Sequence, residues 1–282
     1  MSHVDEFIRR VFALLGYWLC RFRGQAIADA VARYTDAFRR RLDNVNFNAE
    51  SNGELRFLQM MSCIHPRCVF DVGAHEGQWT LRLLAMYPQC TVHAFEIMPS
   101  SFQKLKQATA ALSAQVVLNP WGLSDSPGHV ELYASDDDSS TATAYPIRGV
   151  AEHDAFYTTR LQGTVRRASD YVRGHRIETV DLLKIDVEGM DLRVIKGFGD
   201  ELRRVRVIQF EYGVFNISSR DLLGDFWVYL TDRGYAVGKI YPRSVDFFQY
   251  HYDRENFLGN NYVAVRREEQ ALIVQLAHGG GR

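Results

Sequence analysis

Val69-Phe70-Asp71-Val72-Gly73-Ala74-His75-Glu76-Gly77 is the stretch on which the fold turns. An apolar run closes on Asp-x-Gly-x-x-x-Gly, and the residues that follow, Gln78 to Met86, have helical spacing. Glycine lets a backbone turn sharply and approach a ligand with no Cβ in the way. The carboxyl end of the first strand is also where doubly wound sheets bind cofactors. Dinucleotide sites prefer Gly-x-Gly-x-x-Gly, whose bare glycines and helix N-terminus accept a pyrophosphate. Here the glycines are more widely spaced and an acid sits at the strand end. On these residues alone an ordinary strand–turn–helix junction remains the alternative.

Val92-His93-Ala94-Phe95-Glu96 reads as a second strand, ending in an acid 25 residues after Asp71. A carboxylate there can accept both hydroxyls of a ribose, and Ile97 can cover one face of an adenine. S-adenosylmethionine (SAM) carries an ammonium, a sulfonium and a ribose but no phosphate, so acidic strand ends suit it better than a dinucleotide. A solvent-exposed glutamate is the plainer reading of Glu96.

Strand-like and helical runs alternate outward from this core. They include Thr91–Glu96 then 100–111, Val180–Asp186 then 190–198, and Val205–Glu211 then 221–233, with further strands at 235–240 and 261–265. This alternation predicts a parallel α/β sheet with helices on both faces. Residues 1–60 read as a helical extension, 61–267 as the main domain, and 268–282 as a helix with a flexible tail ending in His278–Arg282. The polar run Ser135–Thr143 reads as a mobile loop, and 241–257 as an aromatic one.

Thirty-three basic residues against 34 acidic ones leave a formal charge of -1, which makes nucleic acid a poor partner. The four cysteines lack CxxC spacing, which points to reduced thiols. The apolar run Val11–Cys20 is too short to span a bilayer, follows the acidic Asp5 and Glu6, and lacks a cleavage pattern. A cytoplasmic location is therefore expected. Arginines beside the N-terminal helices allow a membrane-surface contact, but packing on the main domain or on a second subunit is the preferred reading.

Phe70–Thr80, Ala94-Phe95-Glu96, Trp121-Gly122-Leu123-Ser124-Asp125 and Leu182-Leu183-Lys184-Ile185-Asp186-Val187-Glu188-Gly189 together resemble the FkbM family of SAM-dependent methyltransferases. The resemblance runs from about Asn52 to Val265, and Lys-Ile-Asp-Val-Glu-Gly is its most specific part. It implies a class I methyltransferase, Rossmann-like fold: seven strands, mostly parallel, with an antiparallel last strand. It also implies methylation of hydroxyls on sugars or polyketide-derived rings. The family's usual Asn of the glycine loop is His75 here, and its acid after Gly189-x is Asp191. The expected SAM-binding set is Asp71, Gly73, His75, Gly77, Glu96, Ile97, Asn119, Trp121 and Asp186, with Asn119 and the backbone near Trp121 on the adenine side.

Methyl transfer to oxygen requires an aligned acceptor, exclusion of water and removal of a proton. Asp186, Glu188 and Glu211 are the expected catalytic acids, with His75 and His153 as outsiders. Lys184, inside a central strand, needs a partner. A structural pair with Asp71 is the preferred reading and a catalytic lysine the other. A helix-dipole role for Glu188 is an equal alternative to catalysis. Mg²⁺ on two strand-end carboxylates is considered but not favoured, because no third oxygen donor stands out, and no metal ligand is assigned. The expected acceptor is a small molecule or glycan, bordered by the loop at 135–143 and the aromatics near Phe247. A nucleotide-dependent oxidoreductase and a non-catalytic SAM-binding module are the rivals.

Overall fold

Side chains alternate across each strand with a period of two, and in the first strand both alternating sets are buried from Val69 onward. Val69 is buried on one face of the sheet, Phe70 and Val72 on the other. A strand of this kind must be covered on both sides, which is the condition for a parallel sheet sandwiched by helices. The computed structural model describes residues 3–135, 142–259 and 261–279.

Its strands are β1 (Cys68–Val72), β2 (Thr91–Phe95), β3 (Val116–Asn119), β4 (Gly122–Ser124), β5 (Gly128–Ala134), β6 (Thr159–Arg167), β7 (Val180–Ile185), β8 (Val205–Glu211), β9 (Tyr235–Ile240), β10 (Val245–Phe247) and β11 (Asn261–Arg266). The helices are α1 (His3–Cys20), α2 (Ala26–Leu42), α3 (Glu54–Met60), α4 (Gln78–Met86), α5 (Pro99–Ala108), α6 (Ala151–Phe156), α7 (Ala168–Gly174), α8 (Asp191–Gly197), α9 (Phe215–Ser219), α10 (Leu223–Thr231) and α11 (Gln270–His278).

Eight strands form the main sheet in the order β3-β2-β1-β7-β8-β11-β9-β10. The pairs from β3 to β8 are parallel, whereas β11 runs antiparallel between β8 and β9. Phe57, Leu83, Leu105 and Leu272, from α3, α4, α5 and α11, cover the face that carries Val69, Leu182 and Val207. Tyr171, Leu192 and Phe226, from α7, α8 and α10, cover the face of Phe70, Leu183 and Ile208. The first face also carries a polar row in register, Asp71–Lys184–Gln209, at the level where β1 ends.

The chain divides into two units, Met1–Val45 and Asn46–Arg282. The smaller holds α1 and α2 and leaves large apolar side chains in water, Phe7, Phe12, Leu14 and Tyr34 among them. Among the described residues no helix is long and apolar enough to cross a membrane.

Several expectations need correcting. The boundary near residue 60 moves to Val45–Asn46, because α3 buries Phe57 and Leu58 against the main sheet. The sheet has eight strands instead of seven. The eighth, β10, comes from the stretch read as an aromatic loop and returns along β9 through the turn closed by the Tyr241 N–H and the Ser244 carbonyl at 2.9 Å. A second sheet, β4-β6-β5, went unforeseen; it holds Trp121's neighbours Gly122–Ser124. The helix expected within 268–282 needs no correction: it is α11, with Leu272 and Leu276 buried. Of the expected mobile loop, Ser135–Thr143, residues 136–141 lie outside the described residues, while Thr143 is buried and bridges to Tyr133; of the expected tail, His278–Arg282, residues 280–282 lie outside them.

Candidate active site

The turn after β1 is held by two backbone approaches that glycine alone permits. Gly73 has φ +81°, and a Cβ there would stand 1.9 Å from the Asp186 carbonyl oxygen. The loop is thereby pressed against the end of β7, and the Asp186 N–H donates to the Val72 carbonyl at 3.0 Å. Gly77, φ +92°, would carry its Cβ into Leu105 at 2.8 Å. His75 also sits at positive φ, at +49°, although it has a side chain.

Glu96 joins this turn to the one after β2. Its Oε2 accepts the His75 N–H at 2.7 Å and its Oε1 accepts the Met98 N–H at 2.7 Å. Burial raises its pKa against those two bonds, which pull the other way. Each oxygen keeps a second lone pair. Glu96, Gly73, His75 and Ile97 line one cavity with Asp186 and Glu188.

The expected set thus divides. Gly73, His75, Glu96, Ile97 and Asp186 meet in this cavity. Asp71, fully buried, lies behind it and accepts the Thr80 hydroxyl at 2.6 Å. Asn119 donates to the carbonyls of Ala94 and Val117, both at 3.2 Å, within the sheet. Trp121 packs on Phe95 and Tyr171 under the Arg166 guanidinium, 4.4 Å from its ring centre. Neither Asn119, Trp121, Asp71 nor Gly77 is among the cavity's lining residues. Sequence reasoning missed Leu132 and Val165 in the wall. They come from β5 and β6 of the second sheet, which pair with each other across residues 135–158.

Lys184 is buried beside Asp71, the partner expected of it, and also beside Asp186. Its Nζ lies 3.3 Å from Asp71 Oδ1 and 3.2 Å from Asp186 Oδ2, and donates to the Gly73 carbonyl at 3.2 Å. Burial alone would lower its pKa, but Asp71, Asp186 and Glu54 outweigh that and raise it. The ammonium is held charged, as the structural reading requires. Glu54 is reached through Gln209, whose Nε2 donates to Glu54 Oε1 at 2.6 Å and to Asn261 Oδ1 at 2.8 Å.

Three acids meet where β7 and β8 end. Asp186, Glu188 and Glu211 each bring a carboxylate oxygen into a group spanning no more than 4.8 Å. β7 stops at Ile185, so Glu188 arrives by a turn, at φ +50°, and not by strand alternation. That turn is pinned by the Thr143 hydroxyl, which donates to the Glu188 carbonyl at 2.6 Å. Burial, then Asp186 and Asp191, push Glu188 up to about 8. Burial, then Asp186 and Glu188, raise Glu211 well above the ordinary 4.5. Asp191, whose Oδ1 accepts the Glu211 N–H at 3.0 Å, is pushed up to about 7, chiefly by burial. Glu188 is the third oxygen donor that the sequence did not single out, and the all-oxygen set could hold a hard divalent cation. His153, in α6, lines neither this cavity nor the next.

A second cavity, of about 450 Å³, also opens on these acids. Asp186 and Glu188 line both cavities, and Glu211 lines the second with Phe47, Phe215 and Asn216.

A sheet of this order, with one antiparallel strand inserted before the last parallel one and a cavity at the carboxyl ends of β1, β2 and β7, has the class I methyltransferase fold. The chain belongs to the FkbM methyltransferase family, whose domain, described as "Methyltransferase FkbM domain", matches residues 71–237. Among its relatives, Methyltransferase 1 of Beauveria bassiana is 30% identical over 150 residues, covering 47% of this chain and 59% of that protein. The 2-O-methyltransferase NoeI of Sinorhizobium fredii is 26% identical, over 51% of this chain and 62% of that one. The 31-O-demethyl-FK506 methyltransferase FkbM of Streptomyces tacrolimicus is 27% identical, over 60% and 72%. With the first of these relatives the chain shares about six-tenths of the relative's length. The crystal structure of methyltransferase FkbM from Methylobacillus flagellatus superposes with a TM-score of 0.45 at 14% identity, over 71% of this chain and 43% of that one.

Proposed function

We propose that this protein transfers a methyl group from SAM to a hydroxyl oxygen of a sugar or other small glycan-type acceptor. The observation that carries the reading is the meeting of two cavities at Asp186 and Glu188. Glu96 offers a free lone pair on each oxygen to the ribose hydroxyls, and Ile97 offers an apolar face to the adenine. Asp186, which lines the same cavity, would hold the cationic end of the cofactor. Bound SAM supplies an electrophilic methyl group.

The chain's own residues do the rest. The acceptor hydroxyl, seated in the second cavity, loses its proton to a carboxylate of the Glu188–Glu211 pair, a base whose raised pKa suits a reluctant acid. Lys184 holds the Gly73 carbonyl and the Asp186 carboxylate in place behind it. Two relatives whose names specify O-methylation, NoeI and FkbM of Streptomyces, support oxygen as the atom methylated. The second of them also gives a polyketide-type hydroxyl its standing as the alternative acceptor.

The test is to incubate the protein with SAM and a panel of neutral sugars, glycolipids and hydroxylated macrolides, with and without Mg²⁺, and follow S-adenosylhomocysteine (SAH) and methylated product by mass spectrometry. SAM and SAH that fail to bind under any condition would sink the reading.

One substitution in the second sheet checks the adenine side. Gly163 of β6 leaves room for Ile97, whose Cδ1 would lie 2.3 Å from an added Cβ. Gly163→Ala should push Ile97 into the cofactor cavity and weaken SAH binding several-fold while leaving the main sheet intact. An unchanged dissociation constant by calorimetry would remove Ile97 from the binding surface.

A further inference from the structure

The second cavity contains a buried donor that meets no acceptor among the described residues. Asn216, the second residue of α9, is 3% exposed. Its Oδ1 accepts the Gly213 N–H at 2.9 Å, and since a backbone N–H needs an acceptor, this fixes which end of the amide is which. The Nδ2 end is buried and finds no acceptor among the described residues. Asn216 lines the cavity that also holds Asp186, Glu188 and Glu211. Lone acids would say little about a ligand, but a buried amide N–H beside them calls for a ligand oxygen that can accept while a neighbouring hydroxyl donates to a carboxylate.

Charge and shape narrow the ligand further. Among the described residues lining the cavity none is a cation, and the nearby Lys184 is engaged by Asp71, Asp186 and the Gly73 carbonyl. A ligand carboxylate or phosphate would meet three acids with no compensating charge. The walls are aromatic: Phe215 lies inside, and Phe47, 79% exposed, stands against Gly259. An apolar face of a hydroxylated ring covers such side chains while its oxygens point to the polar groups.

We propose that this cavity selects a neutral, polyhydroxylated ring and rejects its anionic counterparts, with Asn216 donating from Nδ2 to an acceptor oxygen. The proposal rests on the methyl-transfer reading and names the acceptor class within it. Sugars and cyclitols share the required chemistry, so the test carries both.

The full chain, saturated with SAH, is presented with methyl glycosides of glucose, galactose, fucose and rhamnose, with myo-inositol, and with glucuronate and galacturonate glycosides. Binding is read by saturation-transfer NMR. At least one neutral compound is expected to bind and both uronates to fail; glycosides binding without inositol assigns a sugar, and the reverse a cyclitol. Asn216→Asp keeps an oxygen for the Gly213 N–H and replaces the donor with a second, ionisable oxygen. It should weaken the neutral ligand at least about tenfold while leaving SAH affinity unchanged. Asn216→Ala, which also frees the Gly213 N–H, is expected to lower the melting temperature as well. Uronates that bind as well as neutral rings, or Asn216→Asp with unaltered affinity, overturn the proposal. So does the failure of every neutral ring to bind while SAH binds normally, an outcome that leaves the methyl-transfer reading standing. Absence of SAH binding would remove both.

Discussion

Glu96→Ala should weaken SAM and SAH binding by roughly 10- to 150-fold, the loss expected when a carboxylate that accepts hydrogen bonds worth about 1.5–3 kcal/mol is removed. Two effects contribute and can be separated. The side chain presents its remaining lone pairs to the ribose, and it holds the His75 and Met98 amides at 2.7 Å each. The second role operates without ligand, so the apo protein should also melt lower. Glu96→Gln gives the discriminating comparison: one oxygen survives, while the amide nitrogen opposes one of the two N–H groups. A variant that melts lower yet titrates SAH like the wild type would leave Glu96 a loop strut and end its assignment to the cofactor.

Glu211→Gln should lower the methyl-transfer rate by about 10²- to 10⁴-fold, the usual worth of a general base, and at the same time make the protein more stable at neutral pH and above. The two outcomes share one cause. Glu188, Glu211 and Asp191 all have pKa values raised above their ordinary values, so the native state holds protons that the unfolded chain releases. The stability they allow is therefore complete in acid and is lost as the pH climbs from the ordinary carboxylate range through about 8, the value for Glu188. An amide at position 211 removes one of the repelling charges and should flatten that decline. Wild-type activity should run the opposite way, rising over the same interval as the pair gives up its proton. Melting curves and initial rates of both proteins between pH 5 and 9 decide it. A variant that keeps full activity, or loses stability at pH 8, contradicts the role.

The legible parts of this molecule were those written in consecutive residues. The run from Cys68 to Gly77 specified β1 and the cofactor turn because an extended apolar strand and two obligatory glycines are local facts. The Lys184–Asp71 pair was legible too, since a lysine in a central strand must have a partner and register leaves few. What escaped was non-local. Glu188 lies beyond the end of β7 at Ile185, and its place beside Glu211 is set by a turn in which it is itself left-handed, which no strand period encodes. Asn119 and Trp121 lay near the right motif, yet the amide is used up by the carbonyls of Ala94 and Val117 and the indole by its aromatic neighbours. The second sheet went unread because its partners depend on the pairing of β4 with β6 across a long intervening segment. Asn216 had no signal at all, for an unpaired amide can be recognised only once its surroundings are known.

The ammonium of Lys184 reaches the Gly73 carbonyl across 111 positions of chain. The cofactor turn is thus encoded by a few neighbouring residues but made rigid by one from far along the sequence. Closing so long a span costs entropy before any contact repays it, and pairings of this kind set the pace of folding. During synthesis β1 and its glycines emerge early and wait for β7. Until β7 docks, Asp71 has neither its ammonium nor its dry surroundings, and the turn has nothing to press against. Competence to bind the nucleoside should accordingly be among the last properties the nascent protein acquires, and bound ligand should act as a latch on the finished sheet.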